Sequence, residues 1–562
     1  DYTHQNYMSE RLSSSLRSDS SIGSLLPKEQ RMIGANPLTI LGQNVPLLSI
    51  CKWFDIACKI YFIHLIRQYF SEEIGKDMLL IESLLYLWCS LFGGLIVKGS
   101  SFDLLQYFMQ HQQEHQQLGM MMLFVSYFII GIPLCVSAIA CYKIVNEFTS
   151  SKQFEMYFLI EAASCLINQF LMSFTVNLEL AETNYAVPLS SIANCLNIIA
   201  LQLYFLQTNS SLELYLVAVI RLIATLISLL IFLPNYFGAS RNLFKFNFSM
   251  LKQFKMKILM HVLAQPFIQY FDEIFQHFIV FWVYYQNAKI DHSKIQFELN
   301  NYLFFTQIIV GKLSNAVLES LAPVFITYCT INYKLQTKKV LQTFQQVVMV
   351  IIPVQILISV ITYSVSPFIF TILNDSVDQF VINQYNQFKI GCIVGLLQTG
   401  YILTKCMFLS ENDNKRLFIL QLQSLLFSAG FLIISYTATT HNYNYYYIAY
   451  NVAVGLVGWV YFVIKLVKSY KLQKIINQQE RDIIQAQKED LDMKPNQSDS
   501  HPISEIDIQA EINQLVKMEK ETLAKLEGGS SSIPEDKGSS QNQPNSQNLF
   551  GKPNQTTSKS DK

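Results

Sequence analysis

The stretch "QPFIQYFDEIFQHF", residues 265–278, places ionisable side chains inside a long apolar run. Asp272, Glu273 and His277 stand among aromatic and aliphatic residues that continue on both sides. A charged side chain at the centre of a lipid bilayer costs at least about 2.5 kcal/mol. If this run crosses a membrane, its polar residues are therefore expected to face a water-filled cavity or another polar helix.

The composition indicates a membrane protein. The 562-residue chain is 51% hydrophobic and 15% charged, whereas soluble domains carry about 25% charged residues. Its mean hydropathy is +0.26. Apolar segments long enough to cross a hydrocarbon core of about 30 Å recur along it. The twelve predicted segments are 40–66, 78–98, 118–142, 154–177, 186–207, 212–234, 258–284, 299–327, 345–373, 386–409, 417–438 and 444–468. The fold is therefore expected to be an all-α polytopic membrane protein with twelve transmembrane helices.

A long basic linker divides the twelve segments into two six-helix lobes. The predicted divisions are a disordered tail (1–37), an N-lobe (38–235), the linker (236–257), a C-lobe (258–475) and a C-terminal tail (476–562). Within the last, residues 504–527 have the pattern of an amphipathic helix, which is a possible site for a protein partner. Basic residues concentrate in the linker and after the last segment, so both termini are expected in the cytoplasm. The plasma membrane and a vacuolar or vesicular membrane are both compatible with this pattern.

Several functional classes are disfavoured by the sequence. The formal net charge is zero, which gives no indication of a nucleic-acid partner. No phosphate-binding loop, HExxH pair or nucleophile elbow occurs, so no enzymatic activity is expected. The ten cysteines are scattered without a CxxC pair, so neither disulfides nor a metal site is expected.

The polar residues of the opening stretch follow a spacing that puts them on one helical face. They are Gln265, Gln269, Asp272, Glu273, Gln276 and His277. Repulsion between the adjacent carboxylates and the loss of hydration both favour a bound proton. Alternatively, Asp272 or Glu273 forms a structural ion pair with a buried lysine, either Lys312 or Lys405. Pro266 removes one backbone hydrogen bond and predicts a kink beside these residues.

Other polar residues lie within the predicted segments. Asp55 is a second candidate ion site, but Lys52 and Lys59 stand three and four residues away on its helical face and are expected to neutralise it. Asn194 and Asn197 share a face of the fifth segment, where they can form interhelical hydrogen bonds or contact a ligand.

Two further acids, Glu82 and Glu161, are expected to reach the lipid headgroups, because they lie near the ends of their segments.

Three stretches together resemble the multidrug and toxic compound extrusion (MATE) family over about residues 38–470. "SIANCLNII" (191–199) is similar to that family's fifth helix, "KGSSFDLL" (98–105) to the end of its second helix, and "PFIQYFDEIF" (266–275) to its seventh helix. In the seventh helix of that family a Pro precedes a coupling Glu, and Glu273 matches that position. The tenth segment departs from many members, since 388–408 contains no acid and only Lys389, Gln398 and Lys405 as strongly polar groups.

The resemblance implies a secondary antiporter that exports organic solutes or xenobiotics in exchange for protons or sodium by alternating access. The coupling ion is then expected at Glu273 and Asp272, with His277 tuning these carboxyls, and Asp55 is the alternative ion site. The expected substrate contacts are Gln265, Gln269, Gln276, Tyr270, Asn194, Asn197 and Gln398. No cofactor is expected besides the coupling ion. Two alternatives stay open: a lipid-linked oligosaccharide flippase of similar architecture, and a membrane scaffold without transport activity.

Overall fold

The structure is a computed structural model. It describes residues 36–70, 72–89, 152–180, 186–208, 213–240, 256–289, 296–333, 337–373, 391–438 and 444–493, together with isolated positions between 132 and 149 and at 389. Contacts divide the chain into two units, one ending at Gln478 and the other beginning at Gln479. All contacts discussed below lie in the first unit.

The described residues form eleven long helices and no strand. They are α1 (Pro37–Tyr69), α2 (Glu72–Cys89), α3 (Gln153–Leu180), α4 (Ala186–Gln207), α5 (Leu214–Ser240), α6 (Met256–Lys289), α7 (Gln296–Tyr333), α8 (Thr337–Leu373), α9 (Val394–Ser410), α10 (Asn414–Ala438) and α11 (Asn444–Met493). The all-α prediction is confirmed. Eleven of the twelve predicted segments correspond to these helices, while most of the third, 118–142, lies outside the described residues.

Hydrophobicity and exposure agree with a membrane environment. Four of the described helices contain stretches long and apolar enough to cross a bilayer: Leu303–Thr330, Lys338–Leu373, Asn414–Ile434 and Asn444–Ala486. On α8, Met349 and Phe368 are 74% and 67% exposed. A soluble protein rarely leaves such large apolar side chains facing outward along a whole helix, so these positions are suited to contact lipid.

The last helix is longer than the sequence predicts. It continues to Met493 instead of ending near residue 468. Residues 469–493 contain neither glycine nor proline and are rich in Lys, Gln and Glu, which favour a helix even in water. The predicted tail helix 504–527 and nearly all of the predicted N-terminal tail lie outside the described residues.

Local sequence sets the ends of two helices that matter for the site. Asn36 caps α1 by accepting a hydrogen bond from the Leu38 amide at 3.1 Å, and Pro37 follows as the first helical residue. Between α9 and α10 the chain reverses through Asn412, whose φ is 56°. Asparagine tolerates this left-handed conformation better than most residues. Asp413 then caps α10 through the Arg416 amide at 3.1 Å.

The helix contacts fall into two groups that meet along a shared boundary. In the N-terminal half, α3 packs on α5, α4 lies against both α1 and α5, and α2 lies against α3. In the C-terminal half, α7 packs on α8 and α9, while α10 lies against α6 and α9. The halves meet where α1 and α2 contact α6, α7 and α8. Equivalent helices, the first two of each half, therefore supply most of the boundary.

Glycines allow α9 and α11 to approach closely. A Cβ atom added to Gly458 would lie 2.4 Å from the Cβ atom of Tyr401 and 2.6 Å from its backbone nitrogen. No side chain fits at that distance without a backbone shift. Small residues let helices pack in this way inside membranes, where van der Waals contact is a main source of association.

We therefore expect Gly458→Ala to lower the stability of the protein by about 1–3 kcal/mol, as overpacking does elsewhere. The measurement is the midpoint of thermal unfolding of the purified protein in detergent. Gly430→Ala is the matched control, because no atom lies within 4 Å of its added Cβ and alanine favours a helix over glycine. Equal midpoints for the two variants would show that the α9–α11 contact is looser than described.

Candidate functional site

The backbone of α6 is bent beside the ionisable residues. Tyr270 has non-helical angles, φ −125° and ψ 21°. Gln421 on α10 donates to the Gln269 carbonyl oxygen at 2.7 Å, and the Tyr450 hydroxyl on α11 donates to the Asp272 carbonyl oxygen at 3.2 Å. Insertion of a side chain into the helical hydrogen-bond ladder is a recognised cause of a kink. A kink is thus observed beside the ionisable residues as predicted, but it lies at Tyr270, four residues after Pro266, where contacts from α10 and α11 accompany it.

Asp272 forms a buried ion pair with Lys405. The Lys405 Nζ atom lies 2.8 Å from Oδ1 and 2.9 Å from Oδ2 of Asp272, and the two side chains are 10% and 11% exposed. The Tyr401 hydroxyl donates to Oδ2 at 2.9 Å, and Gln421 donates to Oδ1 at 3.2 Å. A buried carboxylate needs such compensation on both oxygens. Of the alternatives that the sequence leaves open, the ion pair with Lys405 is the contact observed.

Glu273 lies beside this pair but in a more open position. Its Oε1 atom is 3.9 Å from Lys405 Nζ, and its side chain is 31% exposed. Lys405 also lies over the ring of Tyr270, at 4.6 Å from the centroid. One ammonium group therefore faces two carboxyls. We call Asp272, Glu273 and Lys405 the C-half cluster; with both acids ionised it has a formal charge of −1.

The predicted polar face of α6 divides among several partners. Gln269 approaches Asn414 at 3.5 Å, Gln276 hydrogen-bonds the Tyr447 hydroxyl, and the His277 ring lies 6.1 Å from that of Tyr86. A four-residue spacing drifts by about 40° per step around a helix, and the kink adds to this divergence. The side chain of Gln265 lies outside the described part of the chain.

Gln398 is held at both ends of its amide. Its oxygen accepts a hydrogen bond from Asn315, and its nitrogen donates to Asn451. Asn451 in turn donates to the Tyr447 carbonyl oxygen at 2.7 Å. This buried chain of amides links α7, α9 and α11. It leaves little of Gln398 to contact a substrate in this conformation.

A second ionic cluster lies within the N-terminal half. Arg221 on α5 donates to Glu82 on α2 and to the Tyr157 hydroxyl on α3, the latter at 3.0 Å. It also lies 3.3 Å from Glu161, whose side chain is 6% exposed. The expectation that Glu82 and Glu161 reach the headgroups is wrong, because Arg221 draws them together. We call Glu82, Glu161 and Arg221 the N-half cluster.

Sequence analysis missed this cluster although a signal was present. Arg221 is the one charged residue within "LYLVAVIRLIATLISLLIFL", residues 214–233. An arginine in such a run requires a buried partner. Which acid provides it depends on helix packing, and neither Glu82 nor Glu161 is near Arg221 in sequence.

Asp55 is neutralised as the sequence predicts. Its carboxylate lies 3.0 Å from Lys59 Nζ and accepts a hydrogen bond from Asn194 on α4. Asn194 therefore forms an interhelical hydrogen bond. Asn197 is half-buried, and its side-chain oxygen has no hydrogen-bond partner among the described residues.

Lysines from both halves gather where the halves meet. Lys52 on α1 pairs with Glu319 on α7 at 3.1 Å. Lys59 on α1 and Lys312 on α7 each place their ammonium nitrogen 5.7 Å from the centroid of the Tyr86 ring. The sequence had suggested Lys312 as a partner of Asp272 or Glu273, but its described contact is with Tyr86 on α2.

The Asp272–Lys405 pair yields a testable energetic coupling. Lys405→Met leaves the buried Asp272 carboxylate without its cation and is expected to cost about 3–5 kcal/mol. Asp272→Asn is expected to cost less, because Lys405 keeps Glu273 at 3.9 Å. The double variant removes both charges of the pair, so its thermal unfolding midpoint in detergent is expected to lie above that of Lys405→Met. Additive losses in the double variant would contradict a direct pair.

Comparisons with known proteins give a match in structure but not in sequence. No family model matches the chain, and no curated protein matches it. Among solved structures, a MOP superfamily transporter from Pyrococcus furiosus, described as having a binding pocket of reverse polarity, is 13% identical with a TM-score of 0.64. That match covers 79% of this chain and 99% of the other.

Two states of a multidrug resistance MATE family transporter also match. The outward-facing conformation has a TM-score of 0.64 at 12% identity, covering 79% of this chain and 99% of the other. The inward-facing conformation has a TM-score of 0.58 at 14% identity, covering 77% and 99%. The resemblance noted in the sequence is thus confirmed in the fold. This chain is a divergent protein with the fold of the MATE transporters of the MOP superfamily.

Proposed function

We propose that the protein is a secondary antiporter that exchanges an organic solute for protons or sodium by alternating access. One observation supports this most directly: each half contains a base that faces two carboxyls, buried Lys405 in one and half-buried Arg221 in the other. The N-half cluster joins Arg221 to Glu82 and Glu161, and the C-half cluster joins Lys405 to Asp272 and Glu273. The transporter fold of the solved neighbours is consistent with it.

The excess carboxyl in each cluster is the proposed ion-binding group. An uncompensated negative charge inside a membrane is costly, and binding one proton or sodium ion removes it. Asp272 is fixed by Lys405, Tyr401 and Gln421, so its charge is already balanced. Glu273 is 31% exposed, so its carboxyl is not enclosed by the protein and is the more accessible of the two. We assign the exchangeable ion of the C-half cluster to Glu273.

In the N-half cluster the assignment rests on hydrogen bonding and not on exposure. Glu82 receives hydrogen bonds from both Arg221 and Tyr157, whereas the buried Oε1 atom of Glu161 has no hydrogen bond in the described structure. Glu161 is therefore the group of this cluster whose ionised form is least compensated. We assign the second exchangeable ion to Glu161. The predicted roles of His277 and Asp55 remain proposals, and the Lys59 pair makes Asp55 the weaker candidate.

Motion between the halves provides the link to solute transport. The boundary is held by contacts that can break and reform, among them the Lys52–Glu319 pair at 3.1 Å and the Trp53 indole donating to the Leu313 carbonyl oxygen at 3.2 Å. Neutralising an excess carboxyl changes the charge of a cluster within one half. If the two conformations differ in the hydration of that cluster, ion binding shifts their populations.

A lipid-linked oligosaccharide flippase is the second candidate. The observation in its favour is the set of lysines at the boundary, Lys52, Lys59 and Lys312. A basic site suits the phosphates of such a lipid. The solved neighbour from Pyrococcus furiosus, whose pocket polarity is described as reversed, shows that this fold occurs with pockets of differing polarity.

Reconstituted transport tests the antiporter proposal. Proteoliposomes are given an imposed pH or sodium gradient, and uptake of two aromatic ions of similar size is measured: N-methylquinolinium, a cation, and naphthalene-1-sulfonate, an anion. We expect a gradient to drive accumulation of at least one. Glu273→Gln and Glu161→Gln are expected to permit exchange of solute for solute across the membrane. They are expected to abolish gradient-driven accumulation of the solute, because glutamine cannot take up the coupling ion.

Asp482→Asn is the control, since Asp482 is an exposed carboxyl outside both clusters. Its accumulation is expected to match that of the unmodified protein. Wild-type accumulation in both Glu variants would refute the assignment of the coupling residues. Failure of every gradient to drive either ion would refute antiport itself.

A further inference from the structure

We propose that Lys312, Tyr86 and Lys59 form a binding site for an anionic aromatic group at the boundary between the halves. This inference rests on the proposed transport function and names the class of its substrate. The site is tested by equilibrium binding and not by transport. The binding site can therefore be refuted while antiport is supported, and antiport can be refuted while the binding site is supported.

The first argument is the balance of charge at the boundary. Three lysines, Lys52, Lys59 and Lys312, face two carboxyls, Asp55 and Glu319. Lys59 pairs with Asp55 at 3.0 Å, and Lys52 pairs with Glu319 at 3.1 Å. Among the described residues Lys312 forms no ion pair, and its described contact is the ring of Tyr86. These five described residues therefore hold one more positive group than negative groups.

The second argument is the position of Lys312. It is half-buried on α7, between Gly311 and the contact of Trp53 with Leu313. Glu319 and Asp55 also attract Lys312 electrostatically, but each of these acids has a closer lysine. Among the described residues the only close contact of Lys312 is therefore an aromatic face, and a cation so placed is costly. An anion that enters the boundary removes this cost. The clusters within the two halves show the opposite balance, with more carboxyls than bases, so among these three groups of described residues the one at the boundary favours an anion.

The third argument is the arrangement around Tyr86. Both ammonium nitrogens, Lys59 Nζ and Lys312 Nζ, lie 5.7 Å from the centroid of its ring. Both ammonium groups therefore border the same ring, and an anionic group attached to an aromatic body beside that ring lies near both of them. Tyr86 is 50% exposed, and the Lys59 side chain is 38% exposed. The Tyr86 ring already contacts the two ammonium groups and the His277 ring, and its exposed part is the surface that an aromatic body can pack against while the lysines hold the charge.

The site also draws on both halves. Lys59 and Tyr86 belong to α1 and α2, whereas Lys312 belongs to α7. A solute held between them contacts each half at once. Relative movement of the halves would separate Lys312 from the other two groups and so weaken binding, which is what alternating access requires of a substrate site.

Binding to the full-length protein in lipid nanodiscs tests the proposal with naphthalene-1-sulfonate as the probe. We expect saturable binding to the unmodified protein and about tenfold weaker binding to Lys312→Gln, which removes one charge-assisted contact. Lys312→Arg is expected to retain binding because it keeps the charge. Lys471→Gln is the matched control, since Lys471 is an exposed lysine of α11 away from the boundary. N-methylquinolinium binding is expected to be no weaker in Lys312→Gln.

The proposal is overturned if the unmodified protein does not bind naphthalene-1-sulfonate, or if Lys312→Gln binds it equally well. It is also overturned if Lys312→Gln loses binding of the cationic and the anionic probe alike, because that result indicates general damage. A thermal unfolding midpoint measured on each variant separates loss of binding from loss of folding. Tyr86→Leu provides an independent variant and is expected to weaken binding of the anion without removing a charge.

Two competitors identify the source of the anion. Naphthyl phosphate is soluble, whereas farnesyl phosphate resides in the bilayer. Displacement of the probe by either supports the anion site, and the stronger competitor shows whether a solute or a lipid phosphate is preferred. If neither compound displaces the probe, the result contradicts the proposed site.

Discussion

Compensation of charge inside a low-dielectric interior is the constraint on which this structure depends. Most of the ion pairs discussed above join two different helices. The exception is Asp55 with Lys59, which lie on the same helix. Asp272 joins α6 to α9 through Lys405, and Arg221 joins α5 to α2 and α3. Because lipid tails provide no hydrophobic force between helices, such contacts and close van der Waals packing determine which helices associate.

The balance of charge differs from place to place, and this difference suggests a division of labour. Within each half, one base faces two carboxyls, as at Arg221 and Lys405. Among Lys52, Lys59, Lys312, Asp55 and Glu319 at the boundary, the lysines exceed the acids. We therefore propose that the sites for a cation lie inside the halves and that a site for an anion lies between them. Coupling then needs only that movement of the halves changes the hydration of the first and the geometry of the second.

Sequence reasoning succeeded where the deciding interactions are local and failed where they are not. The neutralisation of Asp55 follows from a four-residue spacing and is observed. The kink near Pro266 was also predicted, although Gln421 and Tyr450 contribute to it from distant parts of the chain. The cluster around Arg221 was missed, since its members lie on three helices. The polar face of α6 was taken as continuous, and the kink at Tyr270 distributes it among separate partners.

By itself, the sequence determined that the chain is a helical membrane protein, where most of its helices lie and which of their residues carry charge. Those properties depend on hydrophobicity and spacing along one helix. Only the tertiary structure decided which charges meet, because a partner for Asp272 is 133 residues away in Lys405 and helical spacing extends over a few turns at most. It also decided that Lys312 lies at the boundary beside Tyr86 instead of within the C-half cluster.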